Sequence, residues 1–303
     1  MAVSRIRAKQ RCRLWGVNNG APVTGEWVLT ISCPDDVGIE AAVTGALAAR
    51  GDFIVQSQQF GNPDTGRFFM RLDFRSTGTY DDLTSALSPV FDKFDMDWDL
   101  SPFGQKLKTL IMVSKAPHAL ADLLYREKYQ DLPIEVVGVA GNHLDLAEIA
   151  AFYGKGFHYI PVTKDTKAEA EQRLKQLVKA TGAELIVLAR YMQILSDEFC
   201  QEMPGQIINI HHSFLPSFKG ARPYAQAHER GVKLIGATSH YVTGDLDEGP
   251  IIEQEVERVD HSRNVAELMA LGEDVESRTL ARAVRWHAEH RVLLDGKRTV
   301  VFR

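Results

Sequence analysis

Between residues 107 and 188 the chain repeats one rhythm: a short apolar run, then a longer stretch with apolar residues at helical spacing. LKTLIMV (107–113), IEVVGVA (134–140) and LIVL (185–188) leave almost no polar side. A strand without a polar side must be covered on both faces, and strands joined by helices run parallel. Helices are expected over about 118–129, 144–152 and 167–181, a short strand at 158–160 and another strand at 206–210. This predicts a mostly parallel, Rossmann-like α/β sheet, whose ligands sit at the carboxyl ends of the strands.

Ahead of SPFGQK (101–106), which reads as a linker, the pattern differs. Strands are expected at 27–33, 53–60, 68–74 and 96–100, with helices running from Ile39 to Gly51 and over 83–94. Phe68, Met70, Leu72 and Phe74 alternate with Phe69, Arg71 and Asp73, so the third strand should bury one face. The order is βαββαβ, a ferredoxin-like antiparallel sheet with two helices on one side. With PDDVGI (34–39) between first strand and first helix, residues 25–101 resemble an ACT domain, a small ligand-sensing module. The resemblance makes Asp35, Gly38 and Ile39 candidates for holding an amino-acid effector, and it implies a homodimer or homotetramer. A purely structural, oligomerising module is the alternative. The expected division is a basic tail at 1–24, the first domain at 25–101, a linker at 102–106 and a second domain at 107–303.

A chain of 303 residues has room for two such cores. Its net charge of −5 argues against a bulk nucleic-acid or membrane-surface binder. No run is long and apolar enough to suggest a transmembrane helix. Cys12, Cys33 and Cys200 are odd in number and far apart, so neither a disulfide framework nor a cysteine zinc site is expected. A reducing, cytoplasmic setting fits. Arg5, Arg7, Lys9, Arg11 and Arg13 open the chain with no acidic residue and no following apolar segment, which predicts a disordered tail rather than a secretory signal. A nucleic-acid or targeting arm is the other reading of that tail.

INIHHSFLPSFKG (208–220) begins as a strand and ends on three polar groups. Asn209, His211 and His212 are costly to bury unless partnered. Around it stand RYMQILS (190–196), GATSHYV (236–242) and DLDEGPII (245–252). In this order, over residues 107–290, these segments resemble the folate-dependent formyltransferase fold, the family of the glycinamide ribonucleotide transformylases. The resemblance implies a catalytic trio of Asn209, His211 and Asp247 and a pterin pocket lined by Met192, Ile194 and Leu195. It further implies 10-formyltetrahydrofolate as substrate, with no permanently bound cofactor and no metal. The chemistry suits the residue types. Attack on an N-formyl carbon creates an oxyanion and must expel a poor leaving amine. An Asn amide N–H facing that oxyanion can contribute about 3 kcal/mol. A His can protonate the departing nitrogen, worth on the order of a hundred- to ten-thousandfold. Asp247, on a loop, can accept from the His or from an attacking water.

Two departures concern the acceptor. Family members that formylate a phosphorylated amine carry a Gly-rich turn after the first strand of this domain, whose N–H groups cradle phosphate. Here that place reads VSKAPH (113–118), without glycine and with Pro117. His212 stands where the transferases commonly have Pro. With the ACT-like module in front, the chain resembles the hydrolytic branch of the family, in which water accepts the formyl group and formate and tetrahydrofolate leave. His212 has two readings: it restricts the acceptor pocket or positions water, or it packs against Phe214 or a backbone group. Asn142 and His143 follow a strand and are candidates for the acceptor side, Asn142 alternatively for a helix cap. His240, on a strand, is expected to support the trio rather than to react. An amine-accepting transferase and a non-catalytic folate or amino-acid sensor are the rivals. There is no GxSxG elbow or HExxH, and adjacent histidines lack zinc spacing.

Overall fold

The computed structural model describes residues 25–214 and 223–303, which group into two compact units. The basic stretch 1–24 and residues 215–220 of the histidine motif lie outside the described residues. The first unit is built from β1 (Gly25–Pro34), α1 (Ile39–Ala49), β2 (Phe53–Asn62), β3 (Arg67–Ser76), α2 (Tyr80–Lys93) and β4 (Asp97–Pro102). Its antiparallel sheet runs in the order β2-β3-β1-β4, the βαββαβ arrangement expected. Thr79 and Asp82 form a reciprocal capping box that starts α2. Leu29, Ile31, Leu72 and Phe74 meet Val43, Leu47, Leu83 and Leu87 of the two helices in a dry core. Each fully buried side chain of this kind stabilises by roughly 1.5–3 kcal/mol.

The second unit follows the alternating rhythm. It comprises β5 (Leu107–Val113), α3 (His118–Tyr129), β6 (Ile134–Gly141), α4 (Ala147–Phe152), β7 (Phe157–Tyr159), α5 (Lys167–Thr181) and β8 (Leu185–Ala189). Then come α6 (Asp197–Glu202), β9 (Ile207–His211), α7 (Pro223–Glu229), β10 (Leu234–Tyr241), β11 (Ile251–Arg258) and α8 (Val265–Ala288). One sheet of seven strands runs β11-β10-β9-β8-β5-β6-β7. The five strands from β9 to β7 are parallel, and β10 and β11 close the other edge antiparallel. Every residue of β8 is buried, as a strand covered on both faces requires. The strand order reverses about β5, so the segments leaving β5 and β8 diverge and open a crevice at their carboxyl ends. Among the described residues no helix is long and apolar enough to cross a membrane.

The C-terminal residues depart from the expected division. A hairpin of β12 (Val292–Asp295) and β13 (Arg298–Val301) ends the chain, and residues 289–295 and 300–303 group with the first unit. This explains why β3 buries both faces instead of one. Arg71 and Asp73 form an ion pair at 2.9 Å, and the Arg71 guanidinium donates twice to the Glu289 carbonyl, at 3.0 and 3.2 Å. Asn62 donates to the Asp295 carboxylate at 2.6 Å. Polar residues placed to face water on an isolated sheet are thereby buried with partners.

Candidate active site

The histidine motif ends β9, and strand pairing decides what meets it. Asn209 and His211 share one face of β9. Directly opposite on β10 stand His240 and Thr238, respectively. His240 is buried, and its Nδ1 bonds the Tyr241 carbonyl at 2.9 Å. A carbonyl only accepts, so that nitrogen carries the proton. In the neutral ring Nε2 then accepts from Asn209 Nδ2, 3.3 Å away. The Asn209 amide is thus oriented, with its second N–H left for an oxyanion. His240 thus meets Asn209 across the strand pair and is tied to the backbone on its other side.

Asp247 arrives from the β10–β11 loop. Its backbone is left-handed, with φ of 57°, and Gly249 lets the loop turn back: a Cβ there would overlap the Tyr241 carbonyl oxygen. One carboxylate oxygen lies 3.3 Å from His211 Nδ1, the other 3.6 Å from His240 Nε2. The hydrogen bond from His211, and then the nearness of His240 to the other oxygen, hold the Asp247 pKa well below the ordinary carboxylate range, against the opposing effect of burial. The three residues of the sequence-derived trio therefore come together at one strand end.

His212 takes a different set of partners. Its ring stacks on His211 with centroids 4.8 Å apart, and its Nδ1 lies 3.0 Å from Arg190 Nη1. Arg190 follows β8 with φ of 63°, uncommon for a residue with a side chain. Its Nε lies 3.3 Å from Glu276 of α8, and Glu276 is almost wholly buried. His118 Nε2 and the Tyr224 hydroxyl also bond that carboxylate, at 2.9 and 2.8 Å. Gly272, one turn before Glu276, makes room for Tyr224, whose hydroxyl a Cβ would overlap. Burial opposes ionisation of Glu276, but the His118 hydrogen bond and the Arg190 charge outweigh it and lower its pKa. Burial, the Arg190 charge and the neighbouring His211 push His212 the other way from a proton, down to about 4. Arg190, His118, Tyr224 and Glu276 were not singled out as site residues. The readable signal was a carboxylate at position 276 among the apolar residues Leu268, Val275, Leu280 and Val284 that α8 buries.

The remaining candidates divide. Asn142 is buried and accepts from Ser114 Oγ at 2.7 Å, while Ser114 Oγ accepts from the Met192 backbone N–H at 2.9 Å. This bridge ties the ends of β5 and β6 to the segment after β8. Asn142 is not a helix cap, since α4 starts only at Ala147 after Leu146. His143 beside it is partly buried. Ile194 and Leu195 line an apolar recess shared with Met112, Ala140, Ile160, Ala170 and Leu174, with Lys167, Glu171, Tyr191 and Gln193 as its polar members. Met192 does not line it: its side chain is largely exposed, and its backbone makes the contact with Ser114. In the first unit, Asp35 and Gly38 lie in the β1–α1 turn, whereas the Ile39 side chain is buried in the core of that unit. Among the described residues no group of three His, Cys, Asp or Glu side chains could hold a metal ion.

The family described as formyl transferase matches residues 107–284. A formyltetrahydrofolate deformylase of Corynebacterium sp. (strain P-1) is 56% identical over 279 residues, which is 91% of this chain and 98% of the relative. The crystal structure of formyltetrahydrofolate deformylase from Burkholderia mallei ATCC 23344 superposes with a TM-score of 0.89 at 50% identity, covering 92% of this chain and all of the other. Glycinamide ribonucleotide transformylase 1 from Symbiobacterium toebii gives a TM-score of 0.61 at 28% identity and covers 68% of this chain. The chain belongs to the formyl transferase family, and within it to the formyltetrahydrofolate deformylases. The transformylase likeness stops short of the whole chain, while the deformylase likeness covers nearly all of it.

Proposed function

We infer that this chain hydrolyses 10-formyltetrahydrofolate to formate and tetrahydrofolate. The carrying observation is the meeting of Asn209, His211 and Asp247 at one strand end, in a chain similar along almost its whole length to proteins named formyltetrahydrofolate deformylase. A water oxygen attacks the formyl carbon with one lone pair, and the carbonyl π pair moves onto oxygen. Asn209 donates to that oxyanion, a donor worth about 3 kcal/mol. His211 Nε2 takes a proton from the water, and the Asp247 carboxylate at Nδ1 stabilises the resulting imidazolium, much as in a hydrolase triad. The same proton passes to the folate nitrogen as the C–N bond breaks, and the tetrahedral carbon leaves as formic acid, which gives its remaining proton to solvent and becomes formate. His240 keeps Asn209 in register. The recess beside Ile194 and Leu195 accepts the pterin.

The same reading extends to the first unit, whose β1–α1 turn with Asp35 and Gly38 is the candidate place for an amino-acid effector, in a homodimer or homotetramer. Two buried free cysteines, Cys33 and Cys200, favour a reducing, cytoplasmic setting. The test is formate and tetrahydrofolate release by purified protein from 10-formyltetrahydrofolate with no amine added. Strict dependence on an added amine would favour the transferase instead. Repeating the assay with single amino acids tests the effector: an unchanged rate with every one removes it.

A further inference from the structure

Two lone pairs on oxygen and one on an amine nitrogen make a simple basis for choosing an acceptor. An attacking water uses one pair for the new bond and keeps another that can accept a hydrogen bond. An attacking amine spends its only pair on carbon, and its N–H groups want acceptors. A site that presents a donor to the nucleophile therefore suits water and wastes the donor on an amine.

His212 is built to be such a donor. A guanidinium has no acceptor, so Arg190 at 3.0 Å holds the Nδ1 of His212 as a lone pair. The proton must then sit on Nε2, and the ring is barred from taking a second one by burial and by the adjacent positive charge. Arg190 is itself held, by Glu276 at 3.3 Å, and Glu276 by His118 and Tyr224. The ring lies flat against His211, at 4.8 Å and 22°, so its Nε2–H stands beside the residue that handles the water proton. Thr238 fixes the next residue, donating from its hydroxyl to the Ser213 carbonyl at 3.0 Å. Among the described residues Nε2 of His212 has no hydrogen-bond partner.

We propose that His212 is the residue that makes water the acceptor: a fixed N–H donor to the nucleophile, which an attacking water satisfies with its second lone pair and an attacking amine cannot. This rests on the hydrolytic reading above and adds the basis of acceptor choice. Arg190 is a positioning residue that acts through the tautomer of His212, and Glu276 positions Arg190.

Hydroxylamine is the probe, being small enough to enter where water enters and neutral at pH 7.5. The wild-type chain should yield formate with no formyl hydroxamate above the uncatalysed level. His212→Phe keeps a flat ring without the donor. Its kcat for hydrolysis should fall on the order of a hundredfold, the size of one donor acting on a reacting oxygen. KM should stay within about twofold, as expected when only transition-state binding is lost. The fraction of formyl captured by hydroxylamine should rise. His212→Asn restores an N–H and should recover part of the hydrolysis and suppress capture. Equal capture by the wild type, or His212→Phe hydrolysing like the wild type, or a slow His212→Phe with no more capture than wild type, overturns the proposal. The wild-type arm decides even if both variants fail to fold. No formate from the wild type in water alone overturns the hydrolytic reading as well, whereas formate with equal capture overturns the role of His212 alone.

Discussion

His211 and His212 are consecutive in the chain and their rings are stacked, yet they are given opposite partners. His211 has a carboxylate at Nδ1, and His212 a guanidinium. The first arrangement supports a ring that gains and passes on a proton. The second holds a ring neutral in one tautomer. The partners in turn differ in depth. The side chain of Asp247 is 27% exposed at the mouth of the β10–β11 loop, whereas that of Glu276 is 1% exposed inside the helix packing. What separates the two histidines is therefore the charge that each strand end and helix brings to a ring nitrogen, a property of the fold rather than of the residue type.

The sharpest way to break this comparison is to remove charge from one carboxylate at a time. Asp247→Asn keeps the shape but cannot stabilise an imidazolium. Turnover should fall on the order of a thousandfold, in the range seen when a triad acid is made an amide. Thermal stability should fall by no more than about 1 kcal/mol, since both side chains still reach solvent, 16% and 27% exposed. Steady-state kinetics and a melting curve on the same sample check both, and undiminished turnover would remove Asp247 from the mechanism.

Glu276→Gln should invert the pattern. It leaves the Arg190 charge buried without its carboxylate, a loss of about 3 kcal/mol by the usual cost of breaking a buried pair from one side. Turnover should fall less than about tenfold, since Arg190 still reaches His212. Urea denaturation reads the first effect and kinetics the second. A stable Glu276→Gln protein with collapsed turnover would mean that Glu276 belongs to the chemistry and that the division between the two carboxylates is wrong.

The fold was legible because its signals are local. Unbroken apolar runs such as 185–188 announce parallel strands, and PDDVGI announces the turn into α1. Asn209, His211 and Asp247 were legible for a similar reason, lying in short ordered segments around one strand end. The second layer was not. Glu276 is 86 residues beyond Arg190, and only the packing of α8 across the sheet joins them. The same holds in the first unit, where Arg71 and Asp73 read as the wet side of β3 until residues 289–295 return to cover them. In both places a charge in an otherwise apolar setting was the available clue. Its partner lay too far along the chain for periodicity to find.

The smallest expected effect tests the neutral ring directly through stability. In the folded chain His212 resists protonation down to about pH 4, whereas in the unfolded chain it titrates near its ordinary value of 6.5. Between these values the unfolded state binds more protons, so stability falls as pH drops through that window. Burial first, then Arg190 and His211, enforce the shift, and Glu276 and Asp247 oppose it. Asp247 itself contributes stability that is present above the ordinary carboxylate range and lost only at lower pH, so it leaves this window to His212. Moving from pH 7 to pH 5 should cost the wild type about 2 kcal/mol more than it costs His212→Phe, which has no ring proton to bind. Urea midpoints at the two pH values measure it. An equal loss in both proteins would mean that His212 protonates as readily in the folded chain as in the unfolded one. The guanidinium would then not hold the ring neutral, and the two stacked histidines would not differ in the way their partners suggest.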